Sequence, residues 1–130
     1  MSTKARALGT IRNPYMKFAK ISAEQMCDVI NAFAQDLTAS DAARRTRLSV
    51  RTVNTLYLRL RRRIASNAAA QTVLPLPASL QQYADMRLRK LKGVRKSMLS
   101  LHLTETAWRF HRPAGVLYEH LLNELQLHPL

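Results

Sequence analysis

Arg51, Thr52, Asn54 and Thr55, followed closely by Arg59, Arg62 and Arg63, gather guanidinium, amide and hydroxyl groups in one short segment. These groups suit double-stranded DNA: Arg offers guanine two donors, Asn pairs with adenine, and arginines farther along a helix reach phosphates. A run such as Arg59-Leu60-Arg61-Arg62-Arg63 is equally what a solvated helix face looks like, so its surroundings must decide. Catalysis has much less to draw on. The 8 Asp plus Glu are scattered over expected helices and their caps. His102, His111, His120 and His128 fall into no Cys/His metal-binding motif. Cys27 has no disulfide partner and no cationic activator near it in sequence, so it is expected to be a buried or half-buried thiol. His102 and Trp108 read as packing side chains. The expectation is no catalytic residue, no cofactor and no metal.

The charge balance agrees with a polyanionic partner. Lys plus Arg number 21 in 130 residues, giving a formal charge of +13. Residues 1–66 hold 13 Lys or Arg against 4 acids, net +9, and residues 67–130 hold 8 against 4, net +4. The basic centre therefore belongs to the first half. Only three glycines occur, none in a phosphate loop or hairpin signal, which argues against a nucleotide cradle and for an all-α fold. No apolar run approaches the roughly 18 residues a membrane span needs, and no apolar signal core follows the first residues. The expected location is the cytoplasm, in association with the nucleoid.

Three elements must position the basic segment. Ser22-Ala23-Glu24-Gln25 has the form of a capping box, and Met26, Val29, Ile30, Phe33 and Leu37 continue as one apolar stripe, predicting a helix near 23–37. Thr38-Ala39-Ser40-Asp41 caps a short second helix over 39–46. After Arg47 and Leu48, Ser49 caps a third helix whose Val53, Leu56, Tyr57, Leu60 and Ile64 share a stripe. The opposite face carries Arg51, Thr55, Leu58 and Arg62, flanked by Asn54 and Arg59. A long helix, a short helix, a tight turn and a basic helix are the parts of a helix-turn-helix. Arg47 departs from the pattern, since that turn often holds glycine.

The chain divides into a basic N-terminal arm over 1–20, the helix-turn-helix over 21–66, a joint over 67–79 with Pro75 and Pro77, and a helical segment over 80–130. In the last of these, residues 97–111 put Leu99, Leu103 and Phe110 on one face and Leu101 and Trp108 on the other, the pattern of a helix buried on both sides. Leu117, Tyr118, Leu121, Leu122 and Leu125 form another stripe. With the helix carrying Leu80, Tyr83, Ala84, Leu88 and Leu91, these elements suit either a three-helix cluster or a poorly ordered tail. The Lys90 to Lys96 cluster suits DNA contact or a solvated face.

Ile21-Ser22-Ala23-Glu24, the segment from Phe33 to Ala39, Arg51-Thr52-Val53-Asn54, Leu58-Arg59-Leu60 and Arg63-Ile64-Ala65 carry a family resemblance. Over roughly 13–66 the chain resembles the N-terminal helix-turn-helix of bacterial insertion-sequence transposases with an ISXO-type DDE core. Tyr83-Ala84, Arg87-Leu88, Lys90-Leu91, Lys92-Gly93-Val94, Leu101-His102-Leu103, Glu105, Trp108-Arg109-Phe110, Leu121-Leu122 and His128-Pro129-Leu130 resemble the far C-terminus of the same proteins. In that family a long RNase H-like catalytic core separates the two ends. Here they join near 67–79, so the chain looks like an internally deleted transposase. The family's first two catalytic aspartates have no counterpart, Asp85 stands where a Lys is expected, and Glu105 alone matches a family glutamate. One carboxylate cannot hold the two metal ions of in-line phosphoryl chemistry.

The resemblance implies a catalytically inactive remnant that binds double-stranded DNA, at the ends of a parent element, through Arg51, Thr52, Asn54, Thr55, Arg59, Arg62 and Arg63. Two other readings fit the same residues: an interaction protein pairing with intact transposase or with itself, and a basic nucleic-acid binder without site preference.

Overall fold

The computed structural model describes residues 13–17, 19–67, 78–89 and 95–130. Most of the basic arm, the joint from 68 to 77 with both its prolines, and Lys90 and Lys92 of the lysine cluster lie outside the described residues. The described chain forms six helices: α1 (Ala23–Ala34), α2 (Ala39–Thr46), α3 (Val50–Asn67), α4 (Ala78–Arg89), α5 (Lys96–Arg109) and α6 (Ala114–Leu127). The fold is all-α, and no described helix is long and apolar enough to cross a membrane. The helices fall into two compact units, one of residues up to Tyr57 together with Ala114–Leu130, the other of Leu58–Pro113.

In the first unit each helix starts and stops for a local reason. The Ser22 hydroxyl accepts from the Gln25 amide at 3.0 Å while the Gln25 side chain accepts from the Ser22 amide at 3.3 Å, the expected capping box. α1 ends at Ala34 rather than near 37 because Asp36 turns into the left-handed region with φ 60°. The Leu37 amide then donates to Ala32 and the Asp36 amide to Phe33, a Schellman closure that uses up the last carbonyls. Thr38 caps α2 by accepting from the Asp41 amide at 3.2 Å, and α2 ends where Arg47 takes φ 63° and ψ 22°. Ser49 Oγ accepts from the Thr52 amide at 3.0 Å and starts α3.

The core of this unit is apolar. Met26, Val29, Ile30 and Phe33 of α1, Ala42 and Ala43 of α2, Val53, Leu56 and Tyr57 of α3, and Leu117, Leu121 and Leu125 of α6 are buried. Each large side chain among them contributes roughly 1.5–3 kcal/mol by leaving water. The Tyr57 ring stands edge-on to Phe33 with centroids 5.0 Å apart, and its hydroxyl donates to the Leu37 carbonyl at 3.0 Å. The α6 end is tied to the N-terminal turn, since the Leu130 amide donates to Tyr15 at 2.9 Å and the Lys17 amide to Leu130 at 3.0 Å. Cys27 is half-buried.

The second unit is built differently. α4 packs on α5, with the Tyr83 and Phe110 rings 5.5 Å apart. Among its described residues the buried apolar side chains are Leu60, Ile64 and Ala84, and beside them Arg87, Glu105, Thr106 and Arg109 are buried too. α5 is therefore not apolar on two sides: its fully buried residues are Glu105, Thr106 and Arg109, while Leu99 is 41% exposed. Leu117, Leu121 and Leu125 of α6 bury themselves in the first unit, where α6 packs on α1.

Arg47 carries backbone strain that a residue without Cβ escapes, roughly 1–2 kcal/mol for an L-residue in the left-handed region. Glycine's extra freedom in the unfolded chain offsets about 0.5–1 kcal/mol of that relief. Arg47→Gly is expected to raise the melting temperature and Arg47→Val to lower it. Thermal denaturation of the two variants checks this, and a Gly variant no more stable than the Val variant would contradict it.

Candidate nucleic-acid interface

The stripe buried along α3 decides which of its polar residues reach solvent. Within the first unit, Arg51, Asn54 and Thr55 are exposed, opposite to or flanking buried Val53, Leu56 and Tyr57. Thr52 is half-buried and engaged in the cap, its hydroxyl oxygen accepting from Ser49 Oγ at 2.9 Å. Thr55 turns its hydroxyl back to donate to the Arg51 carbonyl at 3.0 Å. Of the four polar side chains expected here, Arg51 and Asn54 thus keep their outward donors, and Thr55 keeps outward lone pairs. Arg44, Arg45 and Arg47 are also exposed in this unit, on the last turn of α2 and the turn after it. Arg44 pairs with Asp41, and Arg45 donates to Gln35 at 3.4 Å. The Arg44-Arg45-Arg47 run is plain in the sequence, but its position is informative only once α2 is known to end there.

In the second unit, the arginine run of α3 is divided by the same rule. Arg62 is exposed, Arg59 and Arg63 are half-buried, and Arg61 is turned inward with its side chain 15% exposed. Arg61 Nε donates to Glu105 Oε1 at 2.6 Å. The other carboxylate oxygen accepts from Arg87 Nη2 at 2.5 Å and from Arg109 Nε at 2.7 Å. Arg87 Nη1 also donates to Thr106 Oγ1 at 2.9 Å, and Thr106 donates in turn to the His102 carbonyl at 2.7 Å. His102 Nδ1 lies 3.8 Å from Glu105 Oε1.

Burial alone would push the Glu105 carboxyl up, but Arg109, Arg87 and Arg61 together outweigh it and hold the group below the ordinary glutamate value. Both oxygens of this carboxylate are taken by guanidinium groups. Among the described residues no three His, Cys, Asp or Glu side chains come together where they could hold a metal ion.

Glu105 stands out in the sequence only as the match to a family glutamate, and its pairing with three arginines is not foreseen there, though part of the signal is present. Glu105 and Arg109 have the i, i+4 spacing of a helical ion pair. Arg61 stands four residues after Tyr57 and three before Ile64, at the edge of the buried stripe. Arg87 gave no local sign, because its partner comes from another helix.

In comparisons with protein families, with curated proteins and with solved structures, the chain matches none.

The Glu105 cluster makes stability depend on acid. A carboxyl held below its unfolded value near 4.5 contributes stability that is whole above that pH and is lost as pH falls through the folded value. The melting temperature of the wild-type chain is expected to fall below this point, and that of Glu105→Gln to change less over the same interval. Glu105→Ala, which leaves Arg87 and Arg109 buried without their counter-ion, is expected to cost roughly 3–5 kcal/mol. Equal acid dependence in wild type and Glu105→Gln, followed by circular dichroism, would show that another group titrates.

Proposed function

We propose that this protein is a catalytically inactive remnant of an insertion-sequence transposase that binds duplex DNA through α2, the turn at Arg47 to Ser49, and α3. The observation that carries the reading is the outward face of α3's first two turns. A capped helix with a tight turn before it exposes Arg51 and Asn54, the two side-chain types that can make paired hydrogen bonds with guanine and adenine. Arg62 follows as an exposed cation for the phosphate backbone, with the half-buried Arg59 and Arg63 beside it.

The resemblance of both ends of the chain to such transposases supplies the rest: the DNA would be the ends of a parent element, met in the cytoplasm at the nucleoid. The engagement of Glu105 by three arginines favours a structural use of the family's glutamate over a catalytic one. A binder without site preference and a protein that pairs with intact transposase are the outcomes that the following measurement separates from this reading.

The test is binding to a duplex selected from a random-sequence pool, compared with a scrambled duplex over a range of salt. Arg51→Ala or Asn54→Ala is expected to cost about 1–3 kcal/mol on the selected duplex and to narrow the gap to the scrambled one. Arg62→Ala is expected to weaken both equally and to make the salt dependence shallower by about one, since each neutralised phosphate releases nearly one counterion. No preference for any selected duplex would favour the non-specific binder. No duplex binding, with co-purification of intact transposase, would favour the pairing protein.

A further inference from the structure

The inward arginine of α3 and the buried carboxylate it meets point to a division of labour inside the basic run. α3 carries Arg59, Arg61, Arg62 and Arg63 in its later turns. Arg59 and Arg63 stand four residues apart, where like charges oppose helix formation. Little apolar burial offsets this, since the buried apolar side chains of these turns are Leu60 and Ile64. A counter-ion suits these turns, and Glu105, paired with Arg61, is one that the fold supplies.

Its two oxygens are shared out in a specific way. Oε2 takes Arg87 of α4 and Arg109 of α5, which hold the carboxylate from its own side of the unit. Oε1 is left facing α3, where it takes Arg61. Glu105 is wholly buried, so the pairing is not screened as a surface pair would be.

We propose that Glu105 is a positioning residue for DNA binding: through Arg61 it orders the later turns of α3, so that Arg59, Arg62 and Arg63 are presented to phosphates as a fixed row. Arg61 is the latch of that row and not one of its DNA contacts. The helices α4 and α5 act in this by fixing the carboxylate. The proposal rests on the DNA-binding reading above, and its test has an arm that is independent of DNA.

Glu105→Gln in the full chain is the decisive variant because two expectations for it have opposite sign. Removing an acid from a basic protein makes it more cationic, which by long-range electrostatics alone tightens DNA binding and steepens its salt dependence. Loss of positioning does the reverse. The expected result is faster amide hydrogen exchange across residues 61–67, unchanged exchange across 50–57, and weaker binding to both a selected and a scrambled duplex. The salt dependence should be shallower by about one, with the preference between the duplexes kept within about twofold.

Binding as tight as wild type or tighter, with an unchanged or steeper salt dependence, overturns the proposal even if exchange is faster, because Glu105 would then serve stability alone. Should Glu105→Gln fail to fold, Arg61→Gln leaves Glu105 with Arg87 and Arg109 and carries the exchange arm. Opening of 61–67 there supports the latch, and wild-type protection overturns it. If the wild-type chain binds no duplex, the DNA reading fails, and the exchange arm still decides whether Glu105 orders α3.

Discussion

The burial of Val53, Leu56, Tyr57, Leu60 and Ile64 along one side of α3 fixes that helix's rotation about its own axis. With that stripe inside, Arg51, Thr55 and Arg62 have to face the other way, and Asn54 flanks them. The edge contact of Tyr57 on Phe33 and its hydrogen bond to Leu37 resist any turn of the helix that would bury Asn54. A rotation of one residue, about 100°, would place charged or amide groups in the core, where each uncompensated one costs several kcal/mol. The display of DNA-competent side chains is thus a consequence of packing and not an independent feature of the surface.

The same constraint explains the fate of Arg61. It lies at the edge of the stripe, too close to the interior to reach solvent freely and too polar to be left there alone. Glu105 resolves the conflict by meeting it at 2.6 Å, and Arg87 and Arg109 keep the carboxylate ionised in spite of its burial. An arrangement of this kind contributes specificity of geometry more than net stability, because desolvation of the ions consumes much of their attraction. Its value lies in fixing where the later turns of α3 run.

Much of the first unit was legible in the sequence because its signals are local. Ser22 with Gln25, Thr38 with Asp41 and Ser49 with Thr52 each set a helix start within four residues, and α2 occupies the predicted span. The end of α1 was misplaced because Asp36 in the left-handed region is a matter of backbone conformation that the apolar spacing, running on to Leu37, does not report. The second unit was much less legible. The Leu and Trp pattern of α5 suggested burial on two sides, whereas the residues taken inside are Glu105, Thr106 and Arg109, and that choice depends on Arg87 and Arg61 arriving from other helices. Likewise, α6 has an apolar stripe that could serve any neighbour, and only its contacts with α1 show which one it serves. Within the candidate interface, exposure of Arg51, Asn54 and Arg62 followed from periodicity, while the inward turn of Arg61 needed a partner 44 residues away in sequence.

On the proposed function, the outward face of α3's first two turns meets the base edges of duplex DNA. Titration of the isotope-labelled chain with a selected duplex, followed by nuclear magnetic resonance, examines it residue by residue. The largest shifts are expected on the Asn54 side-chain amide, the Arg51 guanidinium and the backbone amides of 51–55, with those of α6 little changed. Shifts concentrated on α6 or on α5, with 51–55 undisturbed, would contradict it.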